Sequence, residues 1–323
     1  MKEKAPGAAP VSESDLVVVL LATFEGSPYL GEQLESIAGQ SHTRWRLLVA
    51  DDGSRDNTLE IVRKFSERHP NQVRIVAEGP VGSPRDNFFR LLRMAPPAPY
   101  VAFCDQDDVW APDKLEILVR QCQRLETLHP DEPCLVYSDL QVVDANLGIL
   151  NPSFLNQIGA SPGEISYKTL LAENAIPGCA MLFNASLANV YVATKSDPVD
   201  AIMHDWWMAL LASAVGHVSY VPAPLVNYRQ HAANTLGTVE RSGLLFALSK
   251  LFRGDRSAGL RTYVQAAAFV GAYGDLLAPT IGEDIRTFAS LADVNKIERI
   301  RLLLTHQTLK QTPLRRVYQL LRA

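Results

Sequence analysis

Residues 100–110 have the sequence Y-V-A-F-C-D-Q-D-D-V-W, in which an apolar run ends in three carboxylates before apolar side chains return. Five apolar residues in a row are typical of a strand that is covered on both faces. Similar short runs recur along the chain, at residues 16–22, 45–50, 73–77, 134–138 and 179–184. Their alternation with helical periodicity predicts an α/β fold with a mostly parallel central sheet flanked by helices.

Helices are predicted where apolar residues recur at three- and four-residue spacing between these runs. They cover residues 29–38, 58–68, 86–94 and 113–128, and a further helix begins near Asp205. The segment 151–163 lacks this periodicity, and we expect a loop long enough to act as a lid or an acceptor-facing insertion.

The charge is unevenly distributed along the 323 residues. The net charge is only -4, which argues against general nucleic-acid binding, but residues 241–323 contain 13 Lys+Arg against 6 Asp+Glu. The first 240 residues therefore carry -11 and the remainder +7. We expect a disordered tail at 1–14, a globular α/β domain at 15–240 and a basic amphipathic helical extension at 241–323. The extension either contacts anionic lipid or packs on the domain with a basic face toward solvent.

The cysteines and the termini indicate a cytoplasmic protein. Four cysteines, Cys104, Cys122, Cys134 and Cys179, show neither a C-x-x-C pair nor zinc-site spacing, so we interpret them as reduced core thiols. The N-terminal residues lack the apolar centre of a signal peptide, and no apolar run is long enough to span a membrane.

Acidic residues follow two of the predicted strands, where ligands bind in open parallel sheets. D-D-G-S-R-D-N-T, residues 51–58, has a turn glycine at Gly53, and Asp56 or Asn57 is suited to cap the next helix. A turn and a cap do not explain the pair Asp51-Asp52, so we expect one ligand-facing carboxylate there.

The second acidic cluster is the one that ends the opening stretch. Asp105 and Asp107 share one side of an extended chain, and carboxylates this close stay ionised when a divalent cation neutralises them. A hard cation such as Mg²⁺ or Mn²⁺ would then hold a diphosphate. The alternative is an acidic turn in which Asp108 caps the following helix.

Two further polar motifs lie beyond residue 200. In H-D-W-W, residues 204–207, Asp205 is either a helix cap or a carboxylate made more basic by the neighbouring Trp206 and Trp207. N-Y-R-Q-H-A-A-N, residues 227–234, follows a predicted strand at 222–226 and offers Arg229, His231 and Asn234 as anion or metal contacts.

Taken in order, these motifs resemble the family 2 glycosyltransferases of the GT-A fold, most closely their rhamnosyltransferase-like members. The likeness spans roughly residues 16–237. It is carried by V-V-V-L-L-A-T-F-E-G, A-D-D-G-S-R-D-N-T, F-C-D-Q-D-D-V-W with P-D-K-L, P-G-C-A-M-L-F-N, H-D-W-W and Y-R-Q-H-A-A-N.

The resemblance implies roles for individual residues. The nucleotide-sugar would be held by Ala22, Phe24, Glu25, Asp52, Asp105 and Gln106. Asp107 would be the direct ligand of Mg²⁺ or Mn²⁺, with His231 as a further contact, and Asp205 would be the catalytic base. The acceptor side would be formed by Gly178, Cys179, Trp206 and Trp207. His204 departs from the family pattern, in which glutamate is common at that position.

The implied activity is an inverting, metal-dependent transfer of a sugar, with rhamnose as the leading candidate, from a dTDP- or UDP-linked donor. The acceptor would be a glycan or lipid-linked glycan of cell-surface polysaccharide synthesis, at the inner face of the cell membrane. The alternatives are a non-catalytic sugar-nucleotide or glycan-binding module on the same fold, and a nucleotidyltransferase. The latter is disfavoured because residues 20–27 contain no Lys or Arg to grip a triphosphate. Neither G-x-G-x-x-G after the first strand nor a P-loop is present, which argues against dehydrogenases and P-loop kinases.

Overall fold

The computed structural model of the chain describes residues 13–194, 196–231 and 257–323, and the elements are numbered along these residues. The strands are β1 (Val17–Thr23), β2 (Trp45–Asp51), β3 (Val73–Glu78), β4 (Tyr100–Cys104), β5 (Val109–Trp110), β6 (Cys134–Val143), β7 (Ile149–Asn151), β8 (Met181–Asn184) and β9 (His217–Arg229). The helices are α1 (Leu30–Ala38), α2 (Thr58–Arg68), α3 (Pro84–Met94), α4 (Lys114–Leu128), α5 (Phe154–Ile158), α6 (Tyr167–Ala172), α7 (Ala185–Val192), α8 (His204–Val215), α9 (Ser257–Tyr273), α10 (Pro279–Ser290), α11 (Lys296–Thr305) and α12 (Pro313–Arg322).

One sheet runs through the molecule in the order β3-β2-β1-β4-β8-β6-β9-β5, with β7 paired to β6. The first four strands in this order are parallel, as βαβ units require. Beyond them the sheet is mixed, because β8 runs antiparallel to both β4 and β6 while β6 and β9 are parallel. The predicted α/β architecture is confirmed.

Apolar cores cover both faces of the sheet, which explains why its strands are uninterrupted apolar runs. In β1, Val18 and Leu20 point into one core, whereas Val17, Val19 and Leu21 point into the other. The period-2 geometry of a strand divides neighbouring residues between the two cores in this way.

The C-terminal helices pack into the first of these cores. Trp207 of α8 contacts Phe269 of α9 at 5.3 Å between ring centroids, and its indole N–H donates to the hydroxyl of Tyr273 at 3.2 Å. Phe288 of α10 and Leu303 of α11 are buried in the same core. The described part of the basic extension is therefore packed on the domain.

The loop predicted at 151–163 and the predicted domain boundaries are only partly matched by the structure or lie outside its described residues. The predicted loop at 151–163 is wrong in part, since residues 154–158 form α5, which Ser153 caps by accepting from the N–H of Asn156. The tail predicted at 1–14 lies outside the described residues except at its end, where Glu13–Asp15 forms a 3₁₀ turn. The boundary at 240 also falls outside them. None of the helices within 13–194, 196–231 and 257–323 has the length and apolar character needed to cross a membrane.

Candidate active site

Three chain segments meet at the carboxyl edge of the parallel strands. Thr23, which ends β1, lies opposite Asp51, which ends β2, and Leu21 of β1 lies opposite Cys104, the last residue of β4. The loops that follow these strands therefore share one edge of the sheet, where both predicted acidic clusters lie.

The two carboxylates at the end of β2 have different surroundings. Asp51 is fully buried and accepts from the N–H groups of Gly53 and Ser54, at 3.0 and 2.8 Å, and from the Thr23 hydroxyl at 2.9 Å. Asp51 thus shapes the turn. Asp52 is half-buried, and one of its oxygens accepts from the N–H groups of Val81 and Gly82, whereas the other accepts from no donor among the described residues. Of the pair, Asp52 is the carboxylate placed to face a ligand.

An amide clamp joins the loop after β1 to the acidic loop after β4. The Gln106 side chain accepts from the N–H of Phe24 and donates to its carbonyl, both at 2.9 Å. A Cβ on Gly26 would lie 2.3 Å from the Gln106 amide oxygen, so the neighbouring position must be glycine for this clamp to form. Glu25 between them is in the left-handed region at φ 49° and donates its N–H to Ser54. Ala22, at the end of β1, packs against the core.

The acidic loop itself is fixed from β9. Buried Arg229 donates its backbone N–H to Asp108 at 3.1 Å and its side-chain Nε to the carbonyl of Asp107 at 2.8 Å. His231 lies 2.8 Å from the carboxylate of Asp107 and packs against Tyr29, with the ring centroids 4.6 Å apart and the planes tilted by 32°. The predicted partners Asp107 and His231 are therefore brought together, although they are 124 positions apart.

Asp108 does not cap the helix that follows. Its side chain is fully buried, and Oδ2 has no hydrogen-bond partner among the described residues. Asp113 occupies the N-cap position of α4 instead. The capping alternative is wrong because Asp108 points inward to Arg229.

Burial and mutual repulsion perturb the carboxylates of this loop. Burial, together with the charges of Asp107 and Asp205, raises the pKa of Asp105 to about 7. The pKa of Asp108 is raised well above its usual value, mainly by burial. The two distant acidic motifs lie close together, because Gly178 donates its N–H to Asp205 and the neighbouring Cys179 lies beside Asp105 and Asp108.

A buried lysine stands beneath the acidic loop. The ammonium of Lys114 donates to the carbonyl of Cys179 at 2.6 Å and lies 3.2 Å from the centre of the Trp110 ring. Burial lowers the pKa of Lys114 to about 8, while nearby negative groups, including Asp108 and Asp105, oppose that shift. Lys114 supplies a fixed internal positive charge to the cluster.

Asp205 is held in the first turn of α8 by two backbone donors. The N–H of Gly178 reaches Oδ2 at 3.1 Å, and the N–H of Trp206 reaches Oδ1 at 2.6 Å. The N-cap position belongs to Met203, so Asp205 is not the cap. Burial raises the pKa of Asp205 to about 6 in spite of these donors. A carboxylate with this pKa is ionised at neutral pH and is basic enough to accept a proton.

The 3₁₀ turn Gly178–Ala180 connects the two groups of carboxylates. Gly178 contacts Asp205, and the Cys179 sulfur lies within 4.8 Å of ligand oxygens of both Asp105 and Asp108. Gly178 and Cys179 are both buried, so this turn forms a wall of the site. Their assignment to the acceptor side stays a prediction.

The two tryptophans after Asp205 differ in position. Trp206 is partly exposed and its indole N–H donates to the carbonyl of Leu170. Trp207 is fully buried against Phe269, so its assignment to the acceptor side is wrong. On a helix, consecutive residues point about 100° apart, which separates the two rings.

His204 is also enclosed by apolar groups. Its ring stacks on Phe88 at 3.9 Å and meets the edge of Phe103 at 4.8 Å. Neither ring nitrogen has a hydrogen-bond partner among the described residues, and burial lowers the pKa of His204 to about 3. The histidine is therefore neutral and acts as an apolar wall behind Asp205.

The residues present fit a hard divalent cation. Asp107 and His231 are adjacent and accessible, and the buried oxygen of Asp108 lacks a partner among the described residues. Three carboxylates stand within four positions, with Lys114 as a buried cation beside them. Oxygen-rich sites of this kind suit Mg²⁺ or Mn²⁺.

Sequence reasoning assigned no function to Lys114 and placed Arg229 in a ligand-binding patch. Arg229 is 1% exposed and anchors the acidic loop, so it acts from within the protein. The helical spacing could have indicated that Lys114 is buried. It lies four residues before Leu118 and eight before Cys122, and all three are on the buried face of α4. Asn234, the third member of that patch, lies outside the described residues.

Comparison with known proteins gives consistent matches. Residues 18–130 match the family model Glycosyl transferase family 2. The dTDP-rhamnosyl transferase RfbG of Shigella flexneri is 26% identical over 225 residues, which are 67% of this chain and 73% of RfbG. The UDP-Glc:alpha-D-GlcNAc-diphosphoundecaprenol beta-1,3-glucosyltransferase WfgD of Escherichia coli is 23% identical over 180 residues, 54% of this chain and 63% of WfgD.

Solved structures match at the level of the fold. S. aureus TarS 1-349 in complex with UDP superimposes with a TM-score of 0.53 at 16% identity, covering 89% of this chain and 78% of TarS 1-349. The mannosyltransferase PcManGT from Pyrobaculum calidifontis, in complex with GDP-Man and Mn²⁺, gives 0.52 at 18% identity, covering 99% of this chain and 88% of PcManGT.

Proposed function

Because the chain belongs to glycosyl transferase family 2 and has the GT-A fold, we propose that it is an inverting transferase that moves a sugar from a nucleoside diphosphate to a glycan hydroxyl. The donor we favour is dTDP-rhamnose, which is consistent with the similarity to a dTDP-rhamnosyl transferase. A UDP-linked sugar is the other candidate, as a UDP-sugar enzyme and a UDP complex are among the matches.

The proposal depends mainly on the position and the pKa of Asp205. Asp205 is presented by two backbone N–H groups beside the acidic loop, with its pKa raised to about 6. A structural carboxylate has no need of this combination, whereas a general base does, because it must be ionised and still accept a proton at neutral pH.

The proposed reaction is one displacement at the anomeric carbon. The acceptor hydroxyl oxygen attacks this carbon while Asp205 takes the hydroxyl proton. The bond between the carbon and the diphosphate oxygen breaks, and its electron pair leaves with the nucleoside diphosphate. Attack opposite the leaving group inverts the configuration of the sugar.

The donor would lie between the amide clamp and the turn after β2. The backbone of residues 22–25 and the free oxygen of Asp52 would contact the base, and the exposed ring of Phe24 offers a surface for stacking. Asp105 and Gln106 would lie along the ribose and diphosphate. Asp107 and His231 would hold Mg²⁺ or Mn²⁺, which would supply positive charge to the departing diphosphate.

The acceptor would enter beside Gly178, Cys179 and Trp206. A lipid-linked glycan of cell-surface polysaccharide synthesis is the acceptor class we propose, since the WfgD match is named for a diphosphoundecaprenol acceptor. Such an acceptor places the enzyme at the inner face of the cell membrane, in peripheral contact with anionic lipid through the basic extension.

The test is the substitution Asp205→Asn, with Asp200→Asn as the matched control on an exposed aspartate. We expect Asp205→Asn to bind dTDP in the presence of Mn²⁺ as the unmodified protein does, but to lose transfer from dTDP-rhamnose by about 10²- to 10⁴-fold. Asp200→Asn is expected to keep both properties. Binding would be measured by calorimetry and turnover by release of free dTDP.

Two results would contradict the proposal. Near-normal turnover by Asp205→Asn would remove this residue from the role of base. If the unmodified chain binds dTDP- and UDP-sugars but never releases nucleoside diphosphate with any glycan acceptor tried, the non-catalytic binding module is the better description.

A further inference from the structure

Helix α12 has an exposed apolar stripe that the packing of the fold does not explain. Leu314, Val317 and Leu321 are spaced three and four residues apart and are 55%, 54% and 57% exposed. Single exposed apolar residues are common on protein surfaces, but three along one side of a ten-residue helix form a contiguous patch.

The other side of α12 is tied to the segment before the active site. Arg315 pairs with Glu173 at 3.1 Å, and Glu173 also accepts from the N–H of Gln311 at 2.6 Å. Glu173 directly follows α6, and Leu170 of α6 accepts from the indole N–H of Trp206, the residue next to Asp205. The helix is therefore connected to the segment of the proposed base through Glu173 and α6, so its outer face has a fixed relation to the acceptor side of the site.

The region around the stripe is strongly basic. Residues 296–323 contain seven Lys+Arg and one Asp+Glu, a net charge of +6. Arg316 is exposed on α12, and the ammonium of Lys296 donates to the carbonyl of Leu321 at 2.7 Å. This contact brings the first turn of α11, where Ile297 is 81% exposed, to the end of the stripe.

Charge decides between the partners that an apolar stripe can take. A second copy of the chain, docked on the same stripe, would bring two segments of +6 together, which opposes association. Anionic lipid offers the opposite charge and an apolar layer at the depth that such side chains reach.

We propose that α12 lies in the headgroup layer of an anionic membrane, with Leu314, Val317 and Leu321 inserted toward the acyl chains. Because α12 is joined through Glu173 and α6 to Trp206, the neighbour of Asp205, this docking holds the acceptor side of the site next to the bilayer. The consequence for catalysis rests on the proposed function, whereas the binding itself does not.

The experiment uses the full chain and sedimentation with vesicles of phosphatidylglycerol or of phosphatidylcholine alone. The variant carries Leu314→Gln, Val317→Gln and Leu321→Gln. The matched control carries Leu128→Gln and Val199→Gln, which replace exposed apolar residues on α4 and in the turn before α8. We expect binding to phosphatidylglycerol, weakened by high salt, and about tenfold or greater loss in the triple variant only.

Three outcomes would overturn the proposal. They are absence of binding by the unmodified chain, equal binding by the triple variant, and a dimer in light scattering without vesicles that the triple variant converts to monomer. The last would assign the stripe to a second copy of the chain. Binding of dTDP and Mn²⁺ by the triple variant, measured without vesicles, is expected to be unchanged. If the proposed function is wrong, the unmodified chain will fail to bind dTDP and Mn²⁺ or will fail to turn over a soluble acceptor. Both measurements are independent of vesicle binding.

Discussion

Asp205 combines strong positioning with an unfavourable environment for its charge. Burial raises the pKa of Asp205 from 3.8 to about 6, so the ionised form is less stable in the folded protein than in the unfolded chain. Stability from this group is fully present below pH 3.8 and is lost as the pH rises through 6. At pH 8 the ionised side chain therefore lowers the stability of the folded protein. The proposed activity nevertheless requires this ionised form.

We expect Asp205→Asn to increase the free energy of unfolding at pH 8 by about 1–3 kcal/mol, although the same variant is expected to lose most of its transfer activity. The gain should shrink as the pH falls below 6 and vanish near pH 4, where the native carboxyl is protonated. Urea denaturation at a series of pH values measures it, with Asp200→Asn as the control. A destabilised Asp205→Asn at pH 8 would show that the two backbone donors outweigh burial.

Lys114 is the buried positive charge beside the carboxylates of the acidic loop. It is fully buried, with Asp105 and Asp108 among the groups that act on it and the carbonyl of Cys179 as its acceptor. Removing one charge from such a cluster leaves the others uncompensated in a medium of low polarity.

Lys114→Met is expected to lower the free energy of unfolding by about 3–5 kcal/mol at pH 7.5 without added divalent cation. Lys64→Met is the control, because Lys64 forms an exposed helical pair with Glu60 whose loss should change the free energy of unfolding little. Equal stability of the two variants would mean that the buried ammonium does not stabilise the loop.

At the scale of elements, the turn Gly178–Ala180 has little room to change. A Cβ at position 178 would lie 2.9 Å from His204 Nε2 and 3.2 Å from Asp205 Cβ. Either the turn or the first turn of α8 would have to move, and the N–H that holds Asp205 would move with it.

Gly178→Ala is therefore expected to reduce kcat by about 10- to 100-fold with little change in the KM of the donor, since a small misplacement of a base affects the transition state most. Gly163→Ala is the control, as its Cβ would meet no atom within 4 Å. Steady-state kinetics on both variants test this expectation. A change confined to KM would place Gly178 on the donor side.

The elements of the first half of the chain were largely predictable, whereas α5 was missed for a physical reason. Apolar runs and helical periodicity predicted β1 to β4 and helices α1 to α4 to within two residues, but β6 continues five residues beyond its predicted end at 138 and the short β5 was not predicted. Helix α5 was missed because it is stabilised from a distance. Asp139 of β6 accepts from the Ser153 hydroxyl and from the N–H of Leu155, and this contact is invisible in the local pattern.

At the scale of the whole molecule, site residues with a local sequence signal were predicted, whereas those that depend on distant contacts were not. Strand-end carboxylates such as Asp52 and Asp107 were found from local sequence because strand ends bind ligands. The anchoring role of Arg229 was not, since its contacts with Asp107 and Asp108 span more than 120 positions. Trp207 was misplaced because a sequence of two tryptophans does not show which ring meets α9, a helix more than 50 residues away.

The packing of α9 against Trp207 also makes a prediction for the entire chain. Phe269→Ala should lower the free energy of unfolding by about 3–5 kcal/mol, because Phe269 is fully buried in the core shared with the sheet. Leu128→Ala, at an exposed site, is the control and should change it little. A separate low-stability transition for the C-terminal helices in calorimetry, with the main transition unchanged, would contradict a shared core.

The two hydrogen bonds between Gln106 and Phe24 have a consequence for how ligands act on one another. Gln106 stands between Asp105 and Asp107, so the segment proposed to touch the base and the segment proposed to touch the cation are mechanically joined. Thermodynamic linkage then requires reciprocity: however much a bound nucleotide tightens the grip on the ion, the ion must tighten the grip on the nucleotide by the same factor.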